Sequence, residues 1–155
     1  MSTKMRRIAL TVNGEAVARE VPVRLNLVDF LRHELGFTGS HVGCEQGACG
    51  ACTVLLDQQP VRGCLVLAVQ ADGGVVETIE GAGNNSIMAD LQAKFHSLNA
   101  LQCGFCTPGM LLSAQELLQD NPMPSREEIR DYLSGNFCRC TGYQAIVDAV
   151  EAVAH

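Results

Sequence analysis

Apolar and polar residues alternate at the start of the chain. Ile8, Leu10 and Val12 interleave with Arg7, Ala9 and Thr11, the period of a strand with one buried face. Asn13-Gly14 is a two-residue hairpin turn signal, and Val17, Val21 and Val23 predict the returning strand. Asn26 is placed to cap a helix carrying Leu27, Leu31 and Leu35, which Gly36 ends. A loop rich in glycine and cysteine, residues 39–50, interrupts the periodicity. Thr53-Val-Leu-Leu56 and Val75-Val-Glu-Thr-Ile79 predict further strands.

The period then changes to that of helices. Met88, Leu91, Phe95 and Leu98 recur at spacings of three and four. Thr107-Pro108 has the form of a cap followed by proline at the first helical position, and Leu111, Ala114 and Leu118 supply the apolar face. Asn121-Pro122-Met-Pro124 ends that helix. Ser125 and Glu128 form a capping box ahead of Ile129, Tyr132 and Leu133. Thr141 and Gln144 have the spacing of a second box, ahead of Ile146, Val150 and Val153. The pattern predicts an α+β chain in two parts. Residues 1–80 form a mixed β and α domain, and residues 81–155 form a compact bundle of four short helices. The boundary falls in Glu80-Gly-Ala-Gly-Asn-Asn85.

Composition narrows the function classes. The chain has 155 residues, 47% of them apolar and 18% charged, a globular composition without tryptophan. Its formal charge of −6 excludes the basic face that nucleic acid requires. No apolar run is long enough to span a membrane. Arg6-Arg7 is followed by only a short apolar stretch, Ile8 to Val12, too short for an export signal. The pair is expected at the edge of the first strand, and the protein in the cytoplasm. In that compartment cysteines read as metal ligands rather than disulfides.

There are eight cysteines, divided evenly between the two parts. Parts this small bury little surface alone, and a bound metal in each would act as a staple. Cys44, Cys49, Cys52 and Cys64 begin with the C-x4-C-x2-C spacing of plant-type [2Fe–2S] loops. Gly43, Gly47 and Gly50 lie among them, as a backbone wrapped closely around inorganic sulfide requires. Zinc, which favours paired short knuckles, fits this set poorly. Cys103, Cys106, Cys138 and Cys140 form the second set, a C-x2-C pair and a C-x-C pair. Both pairs directly precede the expected caps Thr107 and Thr141, so an anionic tetrathiolate centre would face two helix N-termini. For this set the residues alone leave a cluster and zinc both open.

The remaining residues carry weaker signals. His33, His41, His96 and His155 show no Cys-x-His pattern, which excludes a Rieske centre, and His33 and His96 are expected to be surface or half-buried structural residues. Gly81-Ala-Gly83 lacks the third glycine of a dinucleotide fingerprint and reads as linker. Gln102 by itself reads as a polar residue at a helix end. Arg139, between two cysteines, would either tune a centre or meet a partner chain, or else make a structural ion pair.

Three segments resemble the cluster motifs of the xanthine oxidase family of molybdenum hydroxylases. Gly43-Cys-Glu-Gln-Gly-Ala-Cys-Gly-Ala-Cys-Thr-Val54 is similar to that family's plant-type loop. Gln102-Cys-Gly-Phe-Cys-Thr-Pro-Gly109 and Gly135-Asn-Phe-Cys-Arg-Cys-Thr-Gly-Tyr143 are similar to its second cluster motifs. The likeness runs from about residue 6 to residue 152 and covers all eight cysteines. The length matches the separate small subunit of bacterial members.

The resemblance implies a β-grasp ferredoxin domain followed by a four-helix domain, each with a [2Fe–2S] cluster. It implies that Cys103 is the ligand nearest a molybdopterin, in a dinucleotide form, and that Gln102 hydrogen-bonds the pterin. It implies a large molybdopterin-binding subunit and a medium FAD-binding subunit as partners, in a heterotrimer or a dimer of heterotrimers. No motif for substrate chemistry is present on this chain. The expected role is electron transfer from the molybdopterin, through both clusters, to the flavin. A stand-alone soluble carrier and a zinc-stabilised interaction module are the alternatives.

Overall fold

The computed structural model describes residues 4–154, so His155 lies outside the described residues. Strands β1 (Met5–Val12) and β2 (Glu15–Pro22) form the expected hairpin, longer than the apolar alternation alone outlined. Val23 falls just outside β2. Asn13 and Gly14 both have positive φ, +51° and +84°, as a turn matched to strand twist requires. Helix α1 (Leu27–Asp29) is capped by Asn26, whose side-chain oxygen accepts from the Asp29 N–H at 2.8 Å. It continues as a π-helical turn over Phe30–Glu34, where the sequence predicted uninterrupted α-helix. Gly36 (φ +79°) closes it, and the Phe37 N–H reaches back to the Leu31 carbonyl at 2.9 Å.

Strands β3 (Thr53–Leu56), β4 (Gln59–Arg62) and β5 (Val75–Glu77) complete a five-stranded sheet in the order β2-β1-β5-β3-β4. Only the β1–β5 pairing is parallel. The sequence did not predict β4. Its turn, Asp57-Gln58, takes positive φ without glycine, and Pro60 stands within the strand. Proline is tolerated there because β4 lies at the sheet edge. With α1 on the sheet, this is the β-grasp arrangement that the resemblance implied. Ile8, Leu10, Val12, Leu27, Phe30, Leu31 and Val54 form its core.

Helices α2 (Ser86–Ser97), α3 (Thr107–Asp120), α4 (Arg126–Tyr132) and α5 (Gln144–Ala154) form the bundle. The box at Ser125 is complete: its side chain accepts from the Glu128 N–H, and Glu128 accepts from the Ser125 N–H at 2.6 Å. Two residues placed on apolar faces are instead exposed, Leu98 beyond the end of α2 and Tyr132 at the end of α4. Helix α3 is buried on nearly every side, from Gly109 to Leu118, because it packs on the sheet as well as on its sister helices. Leu55 joins the helical core while its neighbour Val54 joins the β core. That explains the unbroken apolar run of β3, which is covered on both faces. No helix among the described residues is long and apolar enough to cross a membrane.

Candidate iron–sulfur sites

All eight cysteines are free thiols, and their mutual contacts run within each group of four. Cys44, Cys49 and Cys52 lie on the loop that leads from the end of the first helix to β3, and Cys64 follows β4. Gly47 (φ +79°) and Gly50 (φ +74°) bend this loop into a left-handed path that glycine takes at no steric cost. A Cβ on Gly43 would stand 3.0 Å from the Cys49 sulfur, so the loop is drawn in around its own thiols.

The sulfurs close in twos. Cys44 and Cys49 are in hydrogen-bond contact, and the Cys49 N–H donates to the Cys44 sulfur at 3.3 Å. Cys52 pairs with Cys64. In the second set Cys103 and Cys140 stand 3.5 Å apart, and Cys106 pairs with Cys138. Among the described residues no three His, Cys, Asp or Glu side chains converge on one single-ion position. Two thiol pairs side by side suit a dinuclear centre, in which each iron takes two protein sulfurs.

Protonation energetics fit anionic ligands. Backbone N–H groups of Gln46 and Cys49, then the Cys49 thiol, hold Cys44 down to about 6. Burial pushes Cys52 up to about 11 and Cys106 up to about 12. Buried thiols of this kind lose their protons when a cation binds. Burial opposes charge on Cys138 as well, but donors from the Thr141 hydroxyl and N–H outweigh it and hold that thiol low.

Two expected caps have other work. Cys106, not Thr107, occupies the N-cap position of α3, and Thr107 is its first helical residue, with a buried hydroxyl that lacks a partner. Thr141 does not open α5, which begins at Gln144. Its hydroxyl donates to the Cys138 sulfur at 3.1 Å and its N–H to the same sulfur at 3.4 Å. Only α3 therefore starts at a thiol of the second set, and local donors replace the second helix end. Tyr143, at positive φ, accepts the Cys138 N–H on its hydroxyl at 2.9 Å. Thr141→Val should lower the potential of the second centre, because hydrogen bonds to a ligand sulfur favour the more negative reduced state. A redox titration followed by electron paramagnetic resonance checks this, and Thr141→Ser should restore the wild-type value.

Exposure differs along the second set. Cys138 is buried, whereas Cys103 and Cys140 are exposed, beside exposed Gln102 and Arg139. Arg139 forms no ion pair among the described residues, which leaves its charge facing outward. His33 and His96 are surface residues, as expected. His41 carries more than the sequence indicated. Its ring stacks on Phe105 with centroids 4.6 Å apart, and its Nδ1 lies 2.8 Å from the Phe105 carbonyl oxygen. Arg62, Ser113 and Asn136, also unmarked in the sequence, join the two loops through side-chain hydrogen bonds.

The fold and the paired thiols define a β-grasp and helical architecture that carries two sets of four thiols on loops in contact. Residues 10–75 match the 2Fe-2S iron-sulfur cluster binding domain family, and residues 78–151 match the [2Fe-2S] binding domain family. The chain is 50% identical to the caffeine dehydrogenase subunit gamma of Pseudomonas sp. (strain CBB1), over 95% of this chain and 90% of that one. It is 50% identical to the nicotine 6-hydroxylase small subunit of Paenarthrobacter nicotinovorans, over 92% of this chain and 86% of the relative. The quinoline 2-oxidoreductase structure from Pseudomonas putida 86 superposes with a TM-score of 0.92 at 50% identity, covering 99% of this chain and 94% of that one.

The chain belongs to the small iron–sulfur subunits of the xanthine oxidase family of molybdenum hydroxylases. It carries two [2Fe–2S] domains and is an electron-transfer component of an oxidoreductase. The zinc reading of the second set falls with the family match to residues 78–151. The stand-alone carrier is not favoured, because the relatives are subunits of dehydrogenases and hydroxylases.

Proposed function

We propose that Cys44, Cys49, Cys52 and Cys64 hold one cluster, that Cys103, Cys106, Cys138 and Cys140 hold the other, and that neither set performs substrate chemistry. When bound, each cluster stores and releases single electrons, which connects a molybdopterin on a large partner subunit to FAD on a medium one. The observation that carries this reading is the closure of both sulfur sets in twos, with one edge of the second set, Cys103 and Cys140, left exposed.

The chain's own residues set the terms of that relay. Backbone donors at Cys44 and the Thr141 donors at Cys138 stabilise negative charge on sulfur. Burial of Cys52 and Cys138 restricts water at the inner edges of the sites. Gln102, exposed beside Cys103, offers an amide that both donates and accepts, as the edge of a pterin requires. The division into domains 1–80 and 81–155 assigns one thiol set to each. A heterotrimer, or a dimer of heterotrimers, in the cytoplasm is the assembly that this arrangement serves.

Anaerobic purification of the tagged chain tests the reading. Two larger chains with molybdenum and FAD should co-purify. A brown chain that emerges alone, with iron and sulfide and with no molybdenum under conditions that preserve complexes, would overturn the assembly. Within that complex Gln102→Ala should leave both cluster signals intact and lower pterin retention and turnover. Unchanged molybdenum content and turnover would remove Gln102 from the pterin site.

A further inference from the structure

A cavity of about 300 Å³ opens on the helical part, between the end of α4 and the start of α5. Leu133, Ile146 and Val147 are buried and form its floor. Phe137 and Tyr143 stand on its rim, 56% and 40% exposed. Large apolar side chains left in water around a concavity mark a surface that another molecule covers.

The chemistry of the lining favours a protein as that molecule. Its polar side chains, Arg130, Ser134 and Gln144, are all exposed, and the floor is aliphatic. A small-molecule pocket needs a few polar groups placed inside it to fix orientation. An apolar floor within an aromatic and polar rim is instead the form of an interface anchor point. One bulky side chain fills the pocket there, and the rim excludes water.

Charge narrows the partner. Acidic residues outnumber basic ones on this chain, yet neither Arg130 nor Arg139 makes an ion pair among the described residues. Arg126, one turn earlier on α4, is by contrast held by Asp148 and Glu151. Unpaired guanidinium groups beside an apolar pocket call for a carboxylate on the covering surface. Position narrows it further. Every lining residue lies between 130 and 147, so none comes from the first thiol loop. Phe137 and Tyr143 also line a shallower groove with Cys138 and Arg139, which carries the surface onto the second thiol loop, and Arg139 adjoins exposed Cys140.

We propose that this cavity is the anchor pocket for the large molybdopterin-binding subunit. One bulky apolar side chain of that subunit enters it, and a neighbouring carboxylate meets Arg130. The proposal rests on the reading that the exposed edge of the second set faces that subunit.

Ser134→Trp tests the pocket by laying an indole across its mouth. Ser134 is exposed, so no core residue is altered, and Ser134→Ala is the control. Arg130→Glu tests the charge. The tagged full chain is expressed with its partner subunits and purified anaerobically across a salt series. The readout is the large chain and molybdenum retained per tagged chain, with electron paramagnetic resonance of both centres. Ser134→Trp should keep both reduced [2Fe–2S] signals and retain about a tenth or less of the wild-type molybdenum at every salt concentration. Arg130→Glu should retain several-fold less than wild type at low salt, and the deficit should narrow as salt screens the repulsion. Ser134→Ala should match wild type.

Wild-type retention in Ser134→Trp with both signals intact would overturn the proposal. Loss of the FAD-bearing chain with the molybdenum-bearing chain kept would also overturn it, since the pocket would then serve the other partner. Where Ser134→Trp lacks the second signal, Arg130→Glu decides, and wild-type retention in that variant at low salt would overturn the proposal. A wild-type chain that retains no large molybdenum-bearing chain would instead defeat the underlying reading of the assembly.

Discussion

Cys103→Ala should yield a complex with half its iron, an intact signal from the first centre and none from the second. Cys103 is exposed and pairs with Cys140 at 3.5 Å, so its removal leaves one iron position with a single protein sulfur. The rest of the set cannot supply a substitute. Cys106 and Cys138 already face each other on the inner side. The fold should tolerate the change, because the thiol packs against no core. The first set is built on a separate loop with its own backbone donors and should keep its cluster. Substrate-driven reduction of the first centre should then fall to background, while dithionite still reduces it. Electron paramagnetic resonance on both preparations, with iron analysis, checks the result. Two intact reduced signals would show that Cys103 is not a ligand.

The contrast between the two sets explains what the sequence disclosed and what it did not. Thiol spacing is a one-dimensional signal, and the contacts among the cysteines run within the two groups that it marked. The first hairpin was legible for a similar reason, since alternation and Asn13-Gly14 are both local. Strand β4 was hidden because its turn takes positive φ at Asp57 and Gln58 without glycine, and Pro60 contradicts the strand pattern. Thr107 and Thr141 misled because hydroxyls before a helix usually serve its backbone. The Thr141 hydroxyl does accept a backbone N–H, but from Tyr143 ahead of the helix, and it donates its own proton to the Cys138 sulfur. Arg62, Ser113 and Asn136 are ordinary polar residues in one dimension. Their joint role exists only once α3 and the sheet bring Gly50 beside Gly135, and nothing local in the sequence records that approach.

Gly109→Ala should be among the most destabilising single-methyl additions on this chain, for a reason that involves both loops. A Cβ at this buried position in the first turn of α3 would stand 2.3 Å from the Gly50 carbonyl oxygen and 3.4 Å from the Asn136 amide nitrogen. The nearer obstacle is backbone rather than the end of a flexible side chain, and that carbonyl is already held by Thr53 and Asn136. Relief therefore requires that α3 and the first thiol loop move apart. Overpacking of this kind costs about 1–3 kcal/mol, and an immovable backbone acceptor places the variant at the upper end. For a chain of this size each kcal/mol lowers the melting midpoint by roughly 2–4 °C. Gly83→Ala is the control, because its Cβ would meet nothing within 4 Å and its φ is not positive. Thermal unfolding of the two variants should separate them by several degrees, with Gly83→Ala near wild type. Equal midpoints would mean that the Gly50 carbonyl can yield. The same strain acts on the peptide beside Cys49, so Gly109→Ala should also weaken the magnetic interaction between the centres, whereas Gly83→Ala should leave it unchanged.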